Sequence, residues 1–212
     1  MKSINLLILS FFFLVPPIVG QVDPVAASIL DKFSQRALNA PAVTMKFQLV
    51  ILDEVDNSTE TSEGELSIMG DMYRLDLGDN MIWFNGSVVW TLTPEVEEVT
   101  INWPDTTGSA FISSPGEIFT LYRDGYKQRL IEETQKGSII DLYPEAIDAD
   151  FVRIRLLING SYDLVEAEYK RKDGYNLIVR IESYDLKSQY DKSYFSFDRS
   201  KYPGVDIIDM RQ

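Results

Sequence analysis

The 212-residue chain carries 33 acidic against 20 basic side chains, a net charge of −13, and contains neither histidine nor cysteine. Serine and cysteine triads, the common zinc sites and disulfide stapling are therefore ruled out. The acidic field repels phosphate backbones, so no nucleic-acid partner is expected.

In chain order, Met1-Lys2, an apolar run from Leu6 to Val15 and Pro16-Pro17-Ile18-Val19-Gly20 have the layout of a secretory leader, with the cut after Gly20. The run is shorter than the roughly 20 residues that cross a bilayer, and no cysteine stands at the cut to take a lipid. The expectation is a signal peptide over residues 1–20 and a soluble, monomeric, exported protein. Residues 21–212 should form a single β domain with a sizeable core. A chain of this size without disulfides suits a bacterial periplasm.

From Asp23 to Asn39, apolar residues at Val25, Ala26, Ile29, Leu30, Phe33 and Ala37 have helical spacing, with Asp23 as N-cap and Pro24 at the first position. Val43, Met45, Phe47, Leu49 and Ile51 then alternate with Thr44, Lys46, Gln48 and Val50, the period-2 pattern of a strand with one buried face. Asp53 to Glu63 reads as a polar turn. Leu66 and Ile68 continue the buried face, followed by Tyr73, Leu75 and Leu77. Met81 to Phe84 and Ser87 to Leu92 flank Asn85-Gly86, a type I′ hairpin signal, and Val99, Ile101 and Trp103 share one face of the next strand. These sequential antiparallel strands make a meander.

Pro104 to Pro115 is an irregular connection. Ser114-Pro115-Gly116-Glu117 then opens a short helix to Arg123 that presents Ile118, Phe119, Leu121 and Tyr122. Strands resume at Tyr126 to Glu133, Ser138 to Leu142, Phe151 to Ile158, Ser161 to Lys170 and Tyr175 to Leu186, and Tyr194 to Phe197 and Val205 to Ile208 close the chain.

Carboxylates cluster at Asp53-Glu54-Asp56, Glu95-Glu97-Glu98, Glu132-Glu133 and Asp148-Asp150. A glycosidase needs two carboxylates across a cleft, but in so acidic a chain these groups read first as solvated loop charges. No metal or cofactor is expected. Asn57-Ser58-Thr59, Asn85-Gly86-Ser87 and Asn159-Gly160-Ser161 match the glycosylation sequon, and the last two are explained as turns. The remaining signal is apolar: Phe47, Leu49, Leu66, Ile68, Tyr73, Leu75, Trp83, Phe84, Trp90, Val99, Ile101 and Trp103 are either plain core or the lining of a cavity enclosed by a curled sheet.

Several landmarks occur in a telling order. They are Glu63-Gly64-Glu65-Leu66, Tyr73-Arg74-Leu75, the hairpin from Ile82 to Trp90, Pro94-Glu95, Glu98-Val99-Thr100, and the closing Phe195-Ser196-Phe197-Asp198, Pro203-Gly204-Val205 and Asp209-Met210-Arg211. Together they resemble the periplasmic lipoprotein carriers of the LolA family. The resemblance implies a mainly β fold, a half-open antiparallel β-barrel of about eleven strands with helices covering its concave face. The lid would be the Asp23 to Asn39 and Pro115 to Arg123 helices. It implies carriage without covalent chemistry: acyl chains of lipoproteins are received from an inner-membrane ABC transporter, held in the cavity and passed to the outer membrane, where a receptor would meet them. The lipid-binding residues would be Phe47, Leu49, Leu66, Ile68, Tyr73, Leu75, Trp83, Trp90, Val99, Ile101 and Trp103, with Ile118, Phe119 and Tyr122 from the lid. One departure stands out. The family commonly carries an arginine that bonds lid carbonyls, and Gly70 stands at its place here. The alternatives left open are a carrier or sensor of another acyl lipid on the same fold, sensors of this type having a further C-terminal domain, and a carboxylate-dependent hydrolase.

Overall fold

The computed structural model describes residues 23–104, 111–112 and 114–211; the expected leader, residues 1–20, lies outside them. Among the described residues one α-helix, α1 (Pro24–Leu38), precedes a twelve-stranded sheet. The strands are β1 (Val43–Asp53), β2 (Ser58–Met69), β3 (Met72–Asp76), β4 (Met81–Phe84), β5 (Val89–Thr93), β6 (Glu98–Asn102), β7 (Tyr126–Thr134), β8 (Gly137–Pro144), β9 (Phe151–Ile158), β10 (Leu164–Arg171), β11 (Tyr175–Asp185) and β12 (Asp206–Asp209). Their order across the sheet is β12-β6-β5-β4-β3-β2-β1-β11-β10-β9-β8-β7, so the two meanders join where β1 pairs with β11 and the sheet stays open between β12 and β7. This is the half-open barrel expected, with one more strand.

Alternation builds the core. Val43, Met45, Phe47 and Leu49 of β1, Leu66 and Ile68 of β2, and Tyr73 and Leu75 of β3 point to the concave side and are buried there. Ile140 and Leu142 of β8, Ile154, Leu156 and Ile158 of β9 and Val179 of β11 face them from the second meander. Burying each such side chain contributes about 1.5–3 kcal/mol. Helix α1 lays Ala26, Leu30, Phe33 and Ala37 onto this surface, one stripe at the 3.6-residue period. Its start is fixed by Asp23, whose Oδ1 accepts the amides of Val25 and Ala26 at 3.0 and 3.1 Å, while Oδ2 accepts the amide of Leu130 on β7 at 2.9 Å. One carboxylate thus caps the helix and ties it to the sheet edge.

The outward side of β8 to β10 carries ions instead. Arg155 grips the buried Asp141 through Nε and Nη2 at 2.6 and 2.9 Å, and Arg153 pairs with Glu168 at 2.6 Å. Burial pushes the Asp141 carboxyl upward, but its hydrogen bonds from Arg155 and Tyr143 outweigh that and hold it below its usual value.

Several local expectations change. The strand expected at Tyr194 to Phe197 is a 3-10 turn, Lys192–Phe195. After β11 the chain crosses the convex face of β1 to β4, where there is no strand edge to pair with. Its aromatics hold it instead. The Tyr190 hydroxyl lies 2.8 Å from Thr44 Oγ1 and accepts from Ser67 Oγ at 3.1 Å, and Tyr194 lies against Arg74 at 4.8 Å. Phe197 and Tyr202 then pack on Trp83 at 5.7 and 5.9 Å between ring centres. This long crossing lets β12 enter parallel to β6 rather than antiparallel. The helix expected from Ser114 is two 3-10 turns, Pro115–Phe119 and Leu121–Arg123, because Gly116 and Thr120 favour helix poorly and Ser114 makes no side-chain cap. The turn at Asn85 is not type I′: only Gly86 has positive φ, and the Asn85 side chain closes the loop by accepting the amides of Ser87 and Val88.

Candidate functional site

The concave face is a largely apolar chamber closed on its open side by α1 and the two 3-10 turns. Phe119 meets Phe33 at 5.3 Å, Phe47 meets Phe111 edge-on at 5.5 Å, and Tyr169 contacts both Phe111 and Phe151. The chain's own rings fill the chamber in this conformation. Burial pushes the Tyr73 hydroxyl up to about 12, so it stays a neutral phenol at any physiological pH.

Polar contacts fasten the cover to itself and to β7. Tyr122 donates its hydroxyl to Asp31 Oδ1 at 2.7 Å and Arg123 Nη2 donates to Ser34 Oγ at 2.9 Å, joining the second turn to α1. Gln128 Nε2 on β7 donates to the Tyr122 carbonyl at 2.7 Å, and its Oε1 is buried without a partner among the described residues. Gly70 makes no such fastening. It occupies a tight turn with φ +59° at the mouth of the chamber, with open space where a side chain would begin.

At that mouth lies an open groove of about 230 Å³ between the end of α1, the β2–β3 turn and the first 3-10 turn. Ile68, Tyr73 and Phe84 form its floor, Leu38 and Gly116 its sides. A smaller recess of about 50 Å³ beside it shares Leu38, Ile68 and Gly116 and reaches Phe119. Both fall below the roughly 300 Å³ where small-molecule pockets begin. Room for a long chain would come from moving the cover and the rings beneath it.

The sequence-derived residues divide between two surfaces. Phe47, Leu49, Leu66, Ile68, Tyr73, Leu75, Ile118, Phe119 and Tyr122 belong to the concave chamber. Trp83, Trp90 and Val99 belong to a separate cluster on the convex side, packed with Leu92, Phe197, Tyr202 and Val205. Ile101 sits opposite Trp90 in the β5–β6 ladder and shares that outer face, while Trp103 is 60% exposed with Arg211 over its ring at 5.5 Å. The structure also brings Phe33, Phe111, Phe151, Tyr169 and Leu156 into the chamber. The strand expected over Phe151 to Ile158 included Phe151 and Leu156, but nothing local marked Phe111, which belongs to the irregular connection.

The carboxylate clusters serve local structure where they are engaged. Asp53 is buried and its Oδ1 accepts the amides of Val55 and Asp56, closing the β1–β2 turn, and Glu54 pairs with Lys170. Among the described residues, no three acidic side chains gather where they could hold a metal ion.

The family model described as outer membrane lipoprotein carrier protein LolA matches residues 20–149. No curated protein matches the chain. Among solved structures, an uncharacterized conserved protein from Thermus thermophilus superposes with a TM-score of 0.53 at 11% identity, over 87% of this chain and 99% of that one. A LolA superfamily protein from Nitrosomonas europaea gives 0.45 at 12% identity, over 82% and 98%. A putative outer membrane lipoprotein-sorting protein domain from Vibrio parahaemolyticus gives 0.46 at 8% identity, over 81% and 96%.

Proposed function

Because the chain belongs to the family of outer membrane lipoprotein carrier proteins LolA, whose model matches more than half of it, we propose that it is a periplasmic carrier that takes lipoprotein acyl chains into its concave chamber and shuttles them from the inner to the outer membrane. The observation that carries this reading is the covered concave face. A wide apolar surface is roofed by one helix and two short turns that contact it chiefly through Ala26, Leu30, Phe33, Ile118 and Phe119 and are bonded to β7 at Asp23 and the Tyr122 carbonyl, so the roof can lift by breaking these contacts without unpairing a strand. The lining proposed for the cargo is the concave set, Phe47, Leu49, Leu66, Ile68, Tyr73 and Leu75 with Ile118, Phe119 and Tyr122. The convex tryptophans hold the C-terminal crossing in place. Each acyl CH₂ moved from water into such a chamber contributes about 0.8 kcal/mol, so binding grows with chain length and needs no covalent step. In the empty state the cargo must displace Phe111 and Phe119, which lowers its affinity enough for release. The partners are acylated lipoproteins, an inner-membrane ABC transporter and an outer-membrane receptor.

The test is release. Added to spheroplasts of its own organism, the purified mature protein should bring acylated lipoproteins into the soluble fraction as one-to-one complexes seen by native mass spectrometry. Protein that stays empty while lipoproteins remain in the membrane would overturn the proposal.

A further inference from the structure

The rim of the mouth groove has a charge its apolar floor does not explain. Its charged lining residues are Asp71, on the turn between β2 and β3, and Glu117, on the first 3-10 turn; among the described residues no lysine or arginine lines it. Both carboxylates are exposed, and neither has a hydrogen-bond or ion-pair partner among the described residues. Other acids of the chain are paired locally, as at Arg36–Asp163, Arg171–Asp173 and Arg211–Asp209, while many exposed ones among the described residues, like these two, are not. Two uncommitted carboxylates on separate elements, one fixed to the sheet and one to the cover, thus flank the place where an acyl chain would leave the chamber.

We propose that this groove seats the junction between the acyl chains and the polypeptide of a lipoprotein whose first residues after the acylated terminus are basic, with their ammonium groups between Asp71 and Glu117. The assignment rests on the carrier reading above. It follows from charge complementarity. A cation there meets two unpaired anions beside a low-dielectric wall, whereas an acidic linker or an anionic head group meets repulsion from them and from a chain of net charge −13. Each partly exposed pair is worth up to about fivefold in affinity, so the two together give a preference of about tenfold. The preference falls as salt rises.

The experiment uses the mature protein and palmitoylated peptides with the same acylated cysteine followed by Ser-Lys-Lys, Ser-Gln-Gln or Ser-Glu-Glu, titrated at low and high salt. The lysine peptide should bind about tenfold tighter than the glutamine peptide and the glutamate peptide weakest, with the spread narrowing at high salt. Asp71→Asn with Glu117→Gln should bring the lysine and glutamine peptides within about twofold of each other and leave the affinity for the glutamine peptide unchanged. Equal binding of all three peptides, or a lysine preference that survives in the double variant, would overturn the groove assignment and leave the carrier reading standing. Phosphatidylethanolamine, an ammonium without a polypeptide, is the fourth ligand; binding as tight as the lysine peptide would overturn the assignment to a lipoprotein. Failure of all four to bind would sink the carrier reading, and this inference with it.

Discussion

Gly64 shows how a missing side chain shapes the chamber. It stands opposite Phe47 in the β1–β2 ladder, and a Cβ there would lie 2.4 Å from Phe47 Cζ and 3.0 Å from the Asp76 carbonyl oxygen. The Phe47 ring is fully buried and packed edge-on against Phe111 in this closed conformation, so making room for a methyl there costs packing. Gly64→Ala should therefore destabilise the domain by about 1–3 kcal/mol, as overpacking of a filled core does. Urea unfolding would measure it. Adding Phe47→Leu should recover part of the loss, and an undiminished effect in that background would clear the ring of responsibility. The glycine of the Glu-Gly-x-Leu landmark is thus a seat for an aromatic ring on the concave face. The identity of Gly64 was plain in the sequence, but not which ring lies over it, since that depends on strand register.

At the scale of elements, α1 depends on Asp23. The amide of Leu130 on β7, with those of Ala26 and Val25, holds the Asp23 carboxyl below its ordinary value against a smaller opposing effect of burial. An acid with a depressed folded pKa contributes stability that is fully present above the unfolded value of about 3.9 and is lost as pH falls through the folded one. Asp23→Ala should thus cost about 1–2 kcal/mol at neutral pH. The gap between variant and parent melting temperatures should close as pH drops below about 4. A gap that is constant with pH would mean the carboxylate charge is not what fastens the helix. The cap itself was legible, because Asp-Pro before a helical stripe is a local signal. The bond to Leu130 was not, because it joins residues far apart in the chain.

Across the whole molecule, alternation identified the two faces of each strand but not which face turns inward. On β1 to β3 the apolar side is concave. On β5 and β6 the apolar side, with Trp90, Val99 and Ile101, is convex, because the C-terminal crossing lands there and covers it with Phe197 and Tyr202. Only the path of a distant segment settles the matter, and no periodicity within β5 or β6 encodes it. The leading helix and the strands were readable from local pattern, and the half-open sheet and its apolar cover from the resemblance to the carrier family; the division of the apolar residues between two surfaces was not. That division also gives the account its sharpest test. A palmitoylated peptide carrying a photoreactive diazirine on its acyl chain, bound to the mature protein and irradiated, marks the residues the chain touches. Adducts on the segments holding Phe47, Leu75 and Phe119 are the predicted result. Adducts confined to Trp83, Trp90, Val99 or Phe197 would place the lipid on the convex side and contradict the concave chamber as the site of carriage.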